Sequence, residues 1–319
     1  DFHNHATAYL MARLFELHDK SRFEVYAFSF GPNQEDEMRE RLIRSFDCFY
    51  TVRNKIDQEV ARRSRELGID IAIDLKGYTG SHRAGIFAER CAPIQVNYLG
   101  YPGTMGAEFI DYIIADDTLI PPELEQHYTE KVIRLPDSYQ PNDRQRVIAN
   151  YTPTRAELGL PEDAFVFCCF NNNYKILPET FDSWIRILNA VEGSVLWLLQ
   201  GNPIAAKNLR KEAEARGLDS KRLIFAKRAP LAEHLARHQQ ADLFLDTFPC
   251  NAHTTASDAL WAGLPVLTHM GQSFASRVAA SLLRAADLPE LVTDSQDGYE
   301  RMAIHLARNP DELRALKNR

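Results

Sequence analysis

At 319 residues the chain exceeds the roughly 100–200 residues of one domain, so two packed domains are expected. Hydrophobic residues at 45% and charged residues at 25% exclude a disordered or fibrous protein, and a net charge of −7 argues against a nucleic-acid partner, which needs a basic face. Five cysteines without paired CxxC spacing suggest neither a disulfide framework nor a zinc site, and no apolar run approaches the roughly 18–20 residues of a membrane span, so a cytoplasmic protein with no membrane partner is expected.

The opening Asp1-Phe2-His3-Asn4-His5 reads as a strand-to-helix turn without its strand, so the sequence is expected to start inside a domain. Phe23 to Phe28, Asp70 to Leu75, Pro93 to Tyr98 and Tyr112 to Ala115 then read as buried parallel strands. Between them Ile56 to Leu67 carries a helical pattern stopped by Gly68. The stretch 137–155 is rich in Pro, Asn, Asp and Gln and lacks a sustained period, which marks it as a linker between domains at 1–136 and 156–319. Beyond it, Ala164 to Phe170, Val195 to Leu199, Leu223 to Phe225, Leu243 to Leu245 and Pro265 to Thr268 alternate with helices such as Pro178 to Asn189. Repeated βα units predict an α/β fold with doubly wound parallel sheets, whose ligands sit beyond the carboxyl ends of the strands.

The most informative segment runs from Asp246 to Val266. A strand ends near Asp246, a Pro-containing loop follows, and a helix opens around His253, Thr254 and Thr255. The free N–H groups of a helix start suit a diphosphate, and Asp258, one turn later, can accept from a ribose hydroxyl. Read singly, Thr254 or Thr255 is also a plain helix cap. Phe170-Asn171-Asn172-Asn173-Tyr174-Lys175 crowds polar groups at another strand end, where Lys175 is placed as a point charge for phosphate or as a solvated loop lysine. His234 and Arg237, three apart on one helix face, can meet a base or phosphate, or form a solvated face. His234 and His238 have metal-ligand spacing but no third ligand, so no metal is expected. In the first half Asp1, His5 and Thr7 cluster at a helix start, and Leu99-Gly100-Tyr101-Pro102-Gly103-Thr104 is a Gly/Pro loop after a strand. A histidine titrating near neutrality can take a proton from an attacking hydroxyl, with Asp1 orienting it; a merely hydrogen-bonded turn histidine is the alternative. The sequence lacks both a P-loop and a Gly-x-Ser-x-Gly elbow.

These residues resemble the protein O-GlcNAc transferase and SPINDLY-like family, through Asp1 to His5, Leu99 to Thr104, Phe170 to Lys175, and Cys250 to Thr255 with Asp258 and Trp261-Ala262-Gly263. The resemblance covers nearly the whole chain and implies a GT-B fold, two facing Rossmann-like domains with a central cleft. It implies that the donor is UDP-GlcNAc, that the acceptor is a protein or peptide, and that transfer inverts the anomeric centre without metal or cofactor. Lys175, His253, Thr254 and Thr255 would hold the diphosphate, with Asn172 and Tyr174 beside Lys175. Asp258 would meet the ribose, and Ala229, His234 and Arg237 the base. Leu99, Gly100, Pro102 and Thr7 would border the sugar. Asp1 and His5 would assist the acceptor hydroxyl, and Lys175 the leaving group.

Leu231 stands where animal-type members often have lysine, Asn172 where glutamine is common, and Ala6 where a proline is usual. The large insertion of animal members is missing, as in bacterial-type members, and tetratricopeptide repeats are expected upstream in the full-length protein. Two rival functions remain open at this level: a GDP-fucose-dependent protein O-fucosyltransferase, and a non-catalytic sugar-nucleotide-binding scaffold.

Overall fold

The structure is a computed structural model and describes residues 1–32 and 34–319. It divides into two compact units, Asp1–Arg146 and Val147–Arg319, so the division falls inside the polar stretch 137–155.

The first unit holds β1 (Tyr26–Ser29), β2 (Cys48–Thr51), β3 (Ile71–Asp74), β4 (Ile94–Asn97), β5 (Tyr112–Asp116) and β6 (Lys131–Leu135). All pairings are parallel, and they form two sheets, β1-β2 and β3-β4-β5-β6. An apolar cavity of about 240 Å³ is lined by the consecutive residues Tyr26 to Phe30 of one sheet and Ile71 to Lys76 of the other. Side chains alternate between the faces of a strand, so a cavity touching consecutive residues meets strand edges. Helix Asp57–Glu66 forms where the sequence predicts it: acidic Asp57 and Glu59 open it, Arg63 and Arg65 close it, and Gly68 follows at φ 68°. That charge order matches the helix dipole, and the left-handed backbone suits glycine.

The second unit holds β7 (Val166–Cys169), β8 (Val195–Leu199), β9 (Leu223–Ala226), β10 (Leu243–Leu245), β11 (Val266–His269) and β12 (Val292–Thr293). They make one parallel sheet in the order β12-β11-β10-β7-β8-β9. Chain direction across the sheet reverses between β7 and β10, so their following loops flank the point where such folds open a crevice. Every residue of β7 and β10 is buried, as a central parallel strand covered on both faces requires. Trp184, Trp197, Phe167 and Phe244 fill this core.

The first part of the polar stretch 137–155 is packed: Tyr139 and Asp143 are buried, the Tyr139 N–H donates to Asp116 (2.8 Å), its carbonyl accepts from the Tyr98 hydroxyl (2.6 Å), and Arg41 pairs with Asp143. Asp143 and Gln145 pair with Arg41 of the first unit, whereas Tyr151 and Thr152 bond Glu157 and Gln239 of the second, a division that composition does not reveal. Strand Phe23–Phe28 is observed as Tyr26–Ser29, with Phe23 half exposed. No helix among the described residues is long and apolar enough to cross a membrane.

One close approach fixes the loop after β4. A Cβ on Gly100 would lie 2.0 Å from the Leu75 carbonyl oxygen and 2.7 Å from its carbon, a backbone clash that side-chain motion cannot relieve. Gly100→Ala is therefore expected to cost about 1–3 kcal/mol or more in chemical denaturation, whereas Gly80→Ala, which meets open space, is expected to be neutral. Equal denaturation midpoints for the two variants would contradict this.

Candidate functional site: a cation and an open helix start at the sheet's switch point

The loops after β7 and β10 are laced together. Asn171, buried just past β7, donates from its amide to the Thr247 hydroxyl (2.7 Å) and accepts from the Thr255 hydroxyl. A short turn, Asn173–Lys175, then carries the Lys175 ammonium to the Asn251 carbonyl, 2.6 Å away. Two residues beyond Asn251, His253 begins helix Thr254–Trp261 without a side-chain cap. The first N–H to find a helical partner is that of Ser257, on the His253 carbonyl. The N–H groups of Thr254, Thr255 and Ala256 have no protein acceptor among the described residues. A lysine charge and three open amides thus share one end of the sheet, an arrangement suited to a diphosphate.

His253 contributes no charge here. Burial, then the Lys175 charge, push its imidazole down to about 3, and its Nε2 lies 3.2 Å from the Ala275 carbonyl. A neutral ring bonded that way carries its proton on Nε2 and leaves Nδ1 an acceptor. Beside this site helix Leu231–Arg237 presents His234 and Arg237 inward rather than as a solvated face. Arg237 is buried, bonds His234 and the Lys227 carbonyl (2.6 Å), and lies 4.7 Å over the Phe170 ring. Burial, with His238 and Arg237 nearby, holds His234 at about 2. His238 points its Nδ1 at the His234 carbonyl (2.7 Å), and no group of three or more His, Cys, Asp or Glu among the described residues is placed to hold a metal. Ala229 lies half-buried in the loop between β9 and this helix.

In the first unit His5 precedes helix Ala6–Glu16, and its Nδ1 accepts the Thr7 N–H at 3.2 Å. With Nδ1 accepting, the neutral ring carries its proton on Nε2, which lies 3.8 Å from Asp1 Oδ1. Burial first, and neighbouring positive charge second, hold this ring down to about 4. Asp1 is gripped by Lys76, whose ammonium reaches both carboxylate oxygens (3.0 and 2.8 Å). Lys76 lies next to Leu75, the residue against which Gly100 packs, so the Asp1 cluster and the Leu99–Thr104 loop meet there. Leu99 holds φ 67°, a left-handed conformation costing a non-glycine residue about 1–2 kcal/mol. Asn97 holds the Gly103 carbonyl (3.1 Å), and buried Glu130 accepts from the Thr104 hydroxyl (2.6 Å) and the Met105 N–H (2.5 Å).

The family model for glycosyl transferase family 41 matches residues 1–152 and 149–319. The chain belongs to that family. It is 39% identical over 99% of its length to an Arabidopsis thaliana protein called probable UDP-N-acetylglucosamine–peptide N-acetylglucosaminyltransferase SEC, covering 33% of that protein. It is 30% identical over 99% of its length to the SPINDLY protein of the same plant, given the same probable activity, covering 35% of it. The chain therefore spans about a third of the length of these relatives. A solved O-GlcNAc transferase mutant from Thermobaculum terrenum superposes with a TM-score of 0.93 at 34% identity, over all of this chain and 60% of that one. The fold is of the GT-B class.

Within this family 41 chain, the residues singled out from sequence fall into two groups. Lys175, His253, Thr254 and Thr255 meet in the second unit, with Asp258 buried one turn into the helix and His234 and Arg237 packed on Phe170. Asn172 and Tyr174 sit exposed on the Lys175 turn. Asp1, His5 and Thr7 meet in the first unit, with Thr7 buried, while Leu99, Gly100 and Pro102 are half-buried in their loop. Sequence reasoning gave no role to Lys76, Asn171 or Glu130. Lys76 carried a signal, a lysine and glycine directly after an apolar strand; Glu130, 25 residues from its N–H donor, carried none.

Three histidines of the second unit, buried His238 and half-buried His234 and His253, are held at about 4, 2 and 3, below an unfolded value near 6.5. Between those values the unfolded chain binds more protons, so stability present above about pH 6.5 is lost as pH falls toward 4. Asp246, raised to about 6, acts oppositely but is one group against three. The denaturation midpoint is expected to drop between pH 7 and pH 5. An unchanged or rising midpoint would contradict the burial assigned to these rings.

Proposed function

We propose that this chain transfers N-acetylglucosamine from UDP-GlcNAc to a Ser or Thr hydroxyl of a protein or peptide, with inversion and without a metal. One observation carries the reading: Lys175 and the open amides of Thr254 to Ala256 converge at the switch point of the second sheet. In a transfer from a nucleotide sugar the acceptor oxygen bonds to the anomeric carbon as the bond to the diphosphate breaks and the hydroxyl proton is released to solvent. Negative charge then grows on the departing diphosphate. Fixed donors aimed there are worth more in the transition state than in the ground state, because the charge they meet is larger. Lys175 is tied to a neutral carbonyl, which it can leave for a phosphate oxygen. Arg237, stacked on Phe170 beside this site, and the Ala229 loop are suited to the nucleobase, and Asp258 to the ribose.

For the acceptor we assign roles within the first unit. With Nδ1 engaged by Thr7, His5 presents a donor on Nε2 rather than a base, so it orients an oxygen instead of deprotonating it. Asp1, held by Lys76, is the carboxylate of that cluster. The Leu99–Thr104 loop, shaped by left-handed Leu99 and close-packed Gly100, is assigned to the sugar.

Lys175→Ala is expected to lower the turnover of peptide glycosylation about 10²–10³-fold, as when one transition-state donor is lost, while leaving the melting temperature unchanged. Full activity in that variant would remove Lys175 from the mechanism. Calorimetric titration with UDP and with GDP separately is expected to show UDP binding alone. Binding of GDP alone would instead indicate a guanosine-linked fucose donor, and nucleotide binding with no transfer to any peptide would indicate a scaffold.

A further inference from the structure

Behind the diphosphate site lies a carboxylate that no substrate can touch. Asp246 follows β10 and is 2% exposed. Its Oδ1 accepts the N–H of Thr247 (2.7 Å) and the N–H of Ala252 (2.6 Å), with the Asn171 amide at 3.4 Å. Its Oδ2 accepts the Thr268 hydroxyl (2.7 Å) from the neighbouring strand β11. The two ends of loop 247–252 are therefore drawn onto one oxygen atom.

Inside the loop, the Thr247 hydroxyl donates to the Cys250 carbonyl (2.7 Å) and the Asn251 amide to the Thr247 carbonyl (2.9 Å). The backbone of Asp246 is fixed from the other side, where the Tyr299 hydroxyl donates to its carbonyl (3.0 Å) and itself accepts from the Trp184 indole (3.1 Å). The Asn251 N–H is tied separately to the Ala275 carbonyl (2.9 Å). The Asn251 carbonyl, adjacent to the pinned Ala252 N–H, is the acceptor that holds Lys175. Burial pushes the Asp246 carboxyl up to about 6, opposed by its hydroxyl and N–H donors and by the charge of Lys175, so carboxylate and ammonium feel one another.

We infer that Asp246 is a positioning residue: by closing loop 247–252 it sets the Asn251 carbonyl that parks the Lys175 ammonium beside the open start of helix Thr254–Trp261, ready for a diphosphate. This rests on the donor reading above and adds a route by which a fully buried group controls the donor cation. The sign of its effect is diagnostic. A carboxylate acting only as a negative neighbour of the diphosphate would weaken UDP binding, and its neutralisation would tighten it. A carboxylate acting through the loop has the opposite effect, because losing it lets the lysine and the helix start drift apart.

The test is a double-mutant cycle read by UDP calorimetry on the wild-type chain, Asp246→Asn, Lys175→Ala and the double variant, each checked for an intact thermal transition. Asp246→Asn keeps the shape and one acceptor oxygen but loses the charge. Thr268→Val, which removes the donor to Oδ2 without touching the loop, is run through the same cycle, so that a poorly folding Asp246→Asn does not end the test. UDP affinity is expected to fall about 10-fold on Asp246→Asn, and more modestly on Thr268→Val. In the Lys175→Ala background either change is expected to cost less than about 2-fold. Equal losses in both backgrounds would make Asp246 a general structural residue and overturn the inference, as would tighter UDP binding in Asp246→Asn. Wild-type UDP affinity in Lys175→Ala alone would instead strike the donor reading itself, so the two failures are distinguishable.

Discussion

The organising contact of the second unit is the hydrogen bond between the Lys175 ammonium and the Asn251 carbonyl. It joins the loops that follow the two central strands of the sheet, and so sets a lysine ammonium beside amides that have no acceptor among the described residues. Both features are costly in isolation: an unpaired amide and a lysine held at a carbonyl each forgo better partners. Together they make a site whose missing partner is an anion, with Asn171 and Asp246 as its scaffold. The neutral His253 fits this division of labour, since its ring is spent on Ala275 and its charge is suppressed.

The first unit is built on a different economy. Its candidate acceptor cluster is already a closed set of charges, with Asp1 clasped by Lys76 and His5 committed through Nδ1 to its own helix. Backbone geometry, not charge, shapes the adjoining loop, where Leu99 tolerates a left-handed conformation and Gly100 lies flat against Leu75. Strain of this kind persists where surrounding contacts over-determine a loop, and here Asn97 and Glu130 supply those contacts.

Much of this was readable from the sequence, and the exceptions have physical causes. Val195–Leu199 and Leu243–Leu245 were found to the residue because a buried parallel strand is an uninterrupted apolar run bounded by polar loops. The helix start at Thr254 was legible from the same logic, since a small-residue turn leads on into Val266. Strands β2, β6 and β12 were not, because Cys48–Thr51 is only partly buried, Lys131–Leu135 mixes charge with apolar residues, and Val292–Thr293 is two residues long. Composition did not reveal how the segment around Tyr139 is anchored, because its partners Asp116, Tyr98 and Arg41 come from distant parts of the first unit. Pairings such as Asp246 with Ala252 or Glu130 with Met105 depend on tertiary closure, which no local pattern encodes.

The most direct measurement is a crystal structure with UDP bound. Diphosphate oxygens within hydrogen-bonding distance of Lys175 Nζ and of the N–H groups of Thr254 to Ala256, with Lys175 released from the Asn251 carbonyl, are the expected result. A diphosphate seated elsewhere, with Lys175 still on Asn251 and the helix start empty, would contradict the assignment of this site to a nucleotide-sugar donor.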